Sequence, residues 1–248
     1  MKKRDVALAG LGILVFWQII AVIIDRSILP SPVVVIPVFF EELWHGNMLK
    51  HTLISFWRVL AGMLLAVALA APAGLVLGQS KKLNRFFSPV IYLLYPIPKV
   101  VLVPIILLFF GIGDFPKIII IFMILFFQIL VLVRDQALAL PRGLIQSVRS
   151  LGAGRRALFR FVYLPASLPA ILTALRQSVG TAIAVLYITE TFANRYGLGY
   201  YIFLNASTLL NYPAMYAGVL AMSLLGLILY FSVDWLEHRL CKWQFVEK

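Results

Sequence analysis

Six apolar runs, each close to the thickness of a bilayer when coiled as a helix, limit what this chain can fold into. They extend over Val6–Ile24, Val59–Leu77, Val90–Phe110, Ile118–Val133, Leu168–Ile188 and Ala214–Leu236, the fourth being slightly short. A helix rising about 1.5 Å per residue crosses roughly 30 Å of hydrocarbon in about 20 residues. With 62% of residues hydrophobic, 13% charged and a mean hydropathy of +0.97, a water-soluble fold has too little polar surface to hide such runs. The sequence therefore predicts an all-α integral membrane protein of about six transmembrane helices, built as one domain over residues 1–248. It carries no tandem repeat, low-complexity tract or inter-domain linker.

The flanks of the runs refine this. Lys2, Lys3 and Arg4 precede the first run as in a secretory signal, but the run is long for a signal core. No small-x-small cleavage site follows it, only Asp25-Arg26-Ser27-Ile28-Leu29-Pro30, so a retained helix is predicted. Pro96 and Pro98 lie inside the third run, where missing N–H groups and ring clashes should kink or break the helix. Pro32–Leu43, punctuated by Pro37, is too short to span and reads as an external interfacial helix. Lys and Arg collect on one side: Lys2, Lys3, Arg4, Lys81, Lys82, Arg85, Arg134, Arg142, Arg149, Arg155, Arg156, Arg160, Arg239, Lys242 and Lys248. Only Arg26, Lys50, Lys117 and Arg195 fall on the other, with Arg58 near that face, so both termini are predicted to be cytoplasmic.

Several chemistries find no foothold. The net charge of +12 flanks membrane runs instead of forming a basic, aromatic-interleaved surface, which argues against nucleic acid. Cys241 is the only cysteine, and His45, His51 and His238 lack metal-ligand spacing. There is no Gly-x4-Gly-Lys-Ser/Thr loop to cradle a nucleotide, so any ATP hydrolysis belongs to another subunit. The acidic residues, Glu190, Asp234 and Glu237 among them, fall at run edges or in loops, which weighs against a proton-driven carrier. An ion-gradient carrier that coordinates sodium through broken-helix carbonyls stays open, whereas an intramembrane enzyme lacks any Ser/His, paired-acid or metal constellation.

Two cations fall within runs, Lys99 after the Pro-Ile-Pro break and Arg176 early in the fifth run. Each is either functional or quietly satisfied, Arg176 by snorkelling and Lys99 by a neighbouring carbonyl. Thr173, Gln177, Gly180, Thr181 and Ala184 share one helical face, which either packs closely or borders a polar path. Lys99, Thr173, Gln177 and Thr181 are the candidate path residues. Between the fourth and fifth runs, Arg142–Tyr163 is amphipathic on both sides of a glycine turn. Leu144, Ile145, Val148 and Leu151 share one face, Gly152 and Gly154 supply the turn, and Leu158, Phe161 and Val162 share a second. Such a pair of short helices is either a docking element or rests on lipid headgroups through Arg155, Arg156 and Arg160.

This loop resembles that of the permeases of binding-protein-dependent ABC importers, which carry Glu-Ala-Ala-x3-Gly-x9-Ile-x-Leu-Pro. Here it reads Gln146-Ser147-Val148, then Gly152, then Val162-Tyr163-Leu164-Pro165. Further segments are similar to the nitrate/sulfonate/taurine branch: Leu29-Pro30-Ser31-Pro32, Ser55-Phe56-Trp57-Arg58, Tyr95-Pro96-Ile97-Pro98, Phe110 to Asp114, Leu164 to Pro169 and Gly197-Leu198-Gly199. The resemblance implies a transport subunit, not an enzyme, in a bacterial inner membrane. It would pair with a second permease copy, cytoplasmic ATP-binding subunits that hold ATP and Mg, and an external solute-binding protein. It assigns ATPase coupling to Gln146, Ser147, Val148, Gly152, Ala153, Arg155 and Leu158. It favours a small oxyanion, sulfonate or related organic solute. Gln146 stands for the usual Glu and Val148 for the second Ala, so docking there would rest on shape.

Overall fold

The computed structural model describes residues 3–192 and 195–244, and among them every regular element is a helix. The order is α1 (Lys3–Ile24), α2 (Pro32–Trp44), α3 (Met48–Gln79), α4 (Lys81–Leu94), α5 (Val103–Phe110), α6 (Asp114–Leu138), α7 (Arg142–Ser150), α8 (Arg155–Leu158), α9 (Leu164–Thr191), α10 (Leu198–Ser207) and α11 (Tyr212–Leu240). The helices α3, α6, α9 with the turns before it, and α11 are long and apolar enough to cross a membrane. The chain divides into two compact units, residues 1–56 with 190–225, and residues 57–189 with 226–248.

In the second unit, α3 and α6 lie in parallel contact, and the reason is a seam of small residues. Gly62, Ala66, Ala70, Gly74 and Gly78 recur every four residues along α3, one ridge of the helix. A Cβ built on Gly62 would lie 2.6 Å from Ile121, one on Gly74 would lie 2.9 Å from the Leu130 carbonyl, and one on Gly78 would overlap Ala137. The facing ridge, Ile121, Leu125, Ile129, Val133 and Ala137, is buried to 3% exposure or less. Without side chains on the glycines, the backbones approach closely enough for dispersion to hold helices that lipid would otherwise solvate equally well.

This parallel packing decides how the broken third run is to be counted. The chain leaves α3 at its C-terminal end and enters α6 at its N-terminal end, so the intervening segment must return the full length of the pair. That segment is α4, the 3₁₀ turn Lys99–Leu102 and α5, which are bent by 73° at the Pro96/Pro98 break. The bent pair therefore makes one crossing, the fifth. The first apolar run is helical as α1, but its apolar part, Leu8–Ile24, is shorter than the helices long and apolar enough to cross a membrane. Pro32–Leu43 is helical as predicted, with Pro at its first position and Pro37 inside.

The fourth run is longer than its apolar core. α6 spans 25 residues because its end charges are satisfied internally. Lys117 donates to the Gly113 carbonyl at 2.8 Å, Asp114 receives Arg58 at 2.6 Å, and Arg134 meets Asp135 at 2.8 Å and faces the Tyr92 ring. α9 and α11 run antiparallel, since Thr173 bonds Glu237 while Ile183 faces Gly226. Together these directions gather Lys81, Lys82, Arg85, the Arg149–Arg160 loop, Arg239 and Lys242 at one end of the unit, the segregation expected from the loops. Lys2 and Lys248 lie outside the described residues.

Candidate functional site

The loop between α6 and α9 folds as a hairpin. α7 ends at Ser150 and is capped by Leu151, Gly152 turns the chain in the left-handed region at φ 82°, and α8 leads through a wide turn, Phe159–Tyr163, into α9. A non-glycine residue at Gly152 would be strained by about 1 kcal/mol. Ser147 and Ser150 spend their hydroxyls on the carbonyls of Gly143 and Gln146, at 2.9 and 3.0 Å. Gln146, Ser147, Gly152 and Arg155 are exposed, and Val148 and Ala153 are half-buried. Leu158 is different: with Val162 it is buried inside this chain, at 2% exposure. The apolar side chains left uncovered are Leu144, Leu151 and Phe161, with Leu151 at 86% exposure.

The second constellation surrounds the Pro-Ile-Pro break. Pro98 has no N–H to offer the Leu94 carbonyl four residues earlier, and Lys99 takes over that bond. Its ammonium donates to the carbonyls of Leu94, Tyr95 and Ile97 at 2.9, 3.2 and 3.3 Å and lies 4.5 Å from the centre of the Phe127 ring. A cation is favourable at these carbonyls, which end α4. The break opens a cleft of about 390 Å³ bordered by Lys99, Phe127, Gln128, Thr181, Ala184 and Ile188, among others. Lys99 and Thr181 therefore meet in one cleft.

Thr173 and Gln177 do not border it. Thr173 donates to Glu237 Oε1 at 3.0 Å, and Arg176, next along the helix, pairs with Asp234 and lies 3.4 Å from Glu237 Oε2. Arg176 is thus met by carboxylates of α11 instead of reaching to the interface. Gln177, Gly180 and Ala184 line an exposed strip of α9.

In the first unit a buried carboxylate organises the turn into α10. Glu190 is fully buried and accepts from Ser55 Oγ at 2.8 and 2.9 Å and from the Gly199 N–H at 2.8 Å. Ser55 Oγ accepts in turn from the Leu198 N–H at 2.8 Å, and His51 Nδ1 accepts from the Gly197 N–H at 2.9 Å. These groups satisfy the free N–H donors at the start of α10.

Sequence reasoning missed Glu190, Ser55 and Gln128. Glu190 stood at a run edge and looked solvated, and nothing local pairs it with Ser55, 135 residues away. Gln128 could have been found, since it is the one polar residue in Ile118–Val133. Among the described residues no group of His, Cys, Asp and Glu is arranged to hold a metal.

The family described as the binding-protein-dependent transport system inner membrane component matches residues 62–242. A Methanocaldococcus jannaschii protein named as an ABC transporter permease is 34% identical over 93% of this chain and 88% of its own length. The taurine transport system permease protein of Escherichia coli is 27% identical over 92% and 85%. A second Escherichia coli protein, named as an aliphatic sulfonates transport permease, is 30% identical over 94% and 89%. In fold, the chain is similar to the MetNI methionine ABC transporter in an inward-facing conformation, with a TM-score of 0.68 at 19% identity over 81% of this chain and 98% of that one. A bacterial ABC transporter involved in alginate import gives 0.59 at 15% identity, over 96% of each chain.

Proposed function

Since the chain belongs to the family of binding-protein-dependent transport system inner membrane components, we propose that it is the permease through which a small sulfonate or related oxyanion, delivered by an external binding protein, crosses a cytoplasmic membrane. It is a transport component, and family membership sets aside the ion-gradient carrier. The solute class rests on the names of its relatives, for taurine and aliphatic sulfonates. In this reading residues 1–248 act as one membrane domain that pairs with a second copy, and two cytoplasmic subunits supply ATP and Mg. Lys99, Thr173, Gln177 and Thr181 lie along or beside the solute's route.

One observation carries the coupling assignment: an apolar tip, Leu151, stands uncovered on a basic hairpin of a chain whose sequence shows no nucleotide-binding loop. A groove on the ATP-binding subunit would cover it, with Gln146, Ser147, Val148, Gly152, Ala153 and Arg155 around it and Leu158 holding the hairpin from inside. Leu151→Asp is expected to reduce co-purification of the ATP-binding subunit about tenfold while the permease still inserts. Full retention of that subunit, with unchanged solute-stimulated hydrolysis, would return the hairpin to the lipid surface. Leu158→Asp does not serve, because it would disrupt the hairpin itself.

In this reading both termini are cytoplasmic, which the distribution of loop charges supports. Cys241 is a poor reporter of this. It is fully buried, and burial, together with the Glu237 carboxylate, raises its thiol pKa, leaving little thiolate to react. In a Cys241→Ser background, Ile112→Cys should label with an impermeant maleimide from outside, and Lys82→Cys only in inverted vesicles. The reverse pattern would invert the topology.

A further inference from the structure

We propose that the first unit holds a seat for one phospholipid between α1 and α11, selective for a headgroup that joins a phosphate to a primary ammonium.

Three helix ends meet around one cavity. α1 finishes at Ile24, α2 starts after Ser31 and α11 starts at Tyr212. The cavity between them, of about 960 Å³, is lined by Asp25, Arg26, Ser31, Asn211 and Tyr212, among others. The ends differ in sign. The last carbonyls of α1 form the negative end of that helix, and the Asp25 carboxylate adds to them. The first N–H groups of α2 and α11 form positive ends, and the Arg26 guanidinium adds to those. The Ser31 hydroxyl makes no cap bond to α2. Among the described residues, neither the Asp25 nor the Arg26 side chain has an ionic or hydrogen-bond partner. A ligand carrying both signs satisfies both ends, its ammonium at Asp25 and its phosphate at Arg26, where a simple anion or cation satisfies only one.

Farther along α1 the wall changes character. The cavity shares Leu29 with a second groove of about 290 Å³, lined by Trp17, Tyr216, Val219, Leu220 and Ser223. This groove is almost wholly apolar, so a small water-soluble zwitterion would leave it unfilled, whereas an acyl chain covers it. The rings of Trp17 and Tyr216 lie 5.8 Å apart. Trp and Tyr settle at the boundary between headgroups and hydrocarbon, where a phospholipid passes from polar to apolar.

Two buried polar atoms mark the same level. Trp17 Nε1 and Gln18 Oε1 have no hydrogen-bond partner among the described residues, and these neighbours border the groove and the cavity respectively. Such atoms are uncommon and point to a partner outside the chain. At about 1.5 Å per residue, Gln18 lies roughly 10 Å along α1 from Asp25. That is the level of the ester linkages beneath a seated headgroup. An ester carbonyl accepts from the indole N–H, and water held at the ester donates to the amide oxygen.

The headgroup is narrowed by its donors and its net charge. A trimethylammonium has no N–H to give to Asp25 or to the α1 carbonyls. A glycerol headgroup leaves the phosphate's negative charge without a cation to face Asp25.

The test is native mass spectrometry of the delipidated permease–ATPase complex, titrated with phosphatidylethanolamine, phosphatidylcholine or phosphatidylglycerol of identical acyl chains. One phosphatidylethanolamine per permease copy is expected to be retained, about tenfold more tightly than either of the others, the size of one charge-assisted hydrogen bond. Asp25 stands at φ 44°, a conformation that Asn also tolerates. Asp25→Asn should therefore weaken phosphatidylethanolamine about tenfold and leave phosphatidylcholine unchanged. Arg26→Gln should weaken both lipids, since both carry the phosphate. Asp25 and Arg26 are exposed, so neither change disturbs a packed interior. Equal retention of the three lipids means an unselective lipid coat and overturns the site. Retention led by phosphatidylglycerol or phosphatidylcholine, a preference for phosphatidylethanolamine that survives Asp25→Asn, or no retained lipid overturns it as well.

Discussion

Replacing Gly197 by alanine is expected to destabilise the protein by roughly 3–5 kcal/mol, combining backbone strain with the loss of a buried hydrogen-bonded carboxylate. Gly197 sits at φ 116°, ψ 157°, a conformation essentially confined to glycine. A Cβ there would overlap the Glu190 carboxylate, lying 2.6 Å from Oε2 and closer still to Oε1 and Cδ. Glu190 could yield only by releasing Ser55 and the Gly199 N–H. A thermal midpoint in detergent equal to that of the unmodified protein, read by fluorescence-detected gel filtration, would show that this turn is not anchored by the carboxylate.

An effect of similar size is expected at the α3–α6 seam. Gly74→Leu would drive a branched side chain into the Leu130 carbonyl at 2.9 Å and the Arg134 N–H at 3.0 Å, both backbone atoms that have no rotamer to change. The helices must separate, forfeiting contact along the facing ridge and opening the site of buried Arg134, at a cost of about 3 kcal/mol or more. Gly180 provides the contrast, because nothing lies within 4 Å of a Cβ there. Gly180→Leu should therefore leave the fold of a single chain intact. Protease resistance of the two variants compares them directly, and equal resistance would deny that the seam holds the pair.

The helices were legible where their causes are local. Pro96 and Pro98 announce a break through chemistry carried by those residues alone, and Gly152 and Gly154 announce a turn in the same way. The limits of α6 were not legible, because Asp114, Lys117 and Arg134 read as the edges of an apolar run. Their partners, Arg58 and Tyr92 among them, lie in other helices, and those partners let the helix continue through the charges. The same holds for Glu190. An acid at the end of a run looks hydrated until Ser55 and the backbone of residues 197–199 are brought around it. Lys99 was legible only as two alternatives, functional or satisfied by a neighbouring carbonyl, and the structure supplies the carbonyl partners of the second. The hairpin's uncovered tip is Leu151, whereas the periodicity drew equal attention to Leu158, which faces inward.

The knot around Glu190 also bears on the order in which the chain is made. Ser55 and His51 emerge from the ribosome long before their partners, for Glu190 follows Ser55 by 135 residues. At about 5–20 residues per second, that interval is roughly 10 s, during which several apolar helices must enter the membrane. Throughout it the serine and histidine can be satisfied only by water or by temporary neighbours. The knot therefore closes late in biogenesis. A chain whose synthesis halts before Glu190 leaves Ser55 without the carboxylate that receives its hydroxyl in the finished protein.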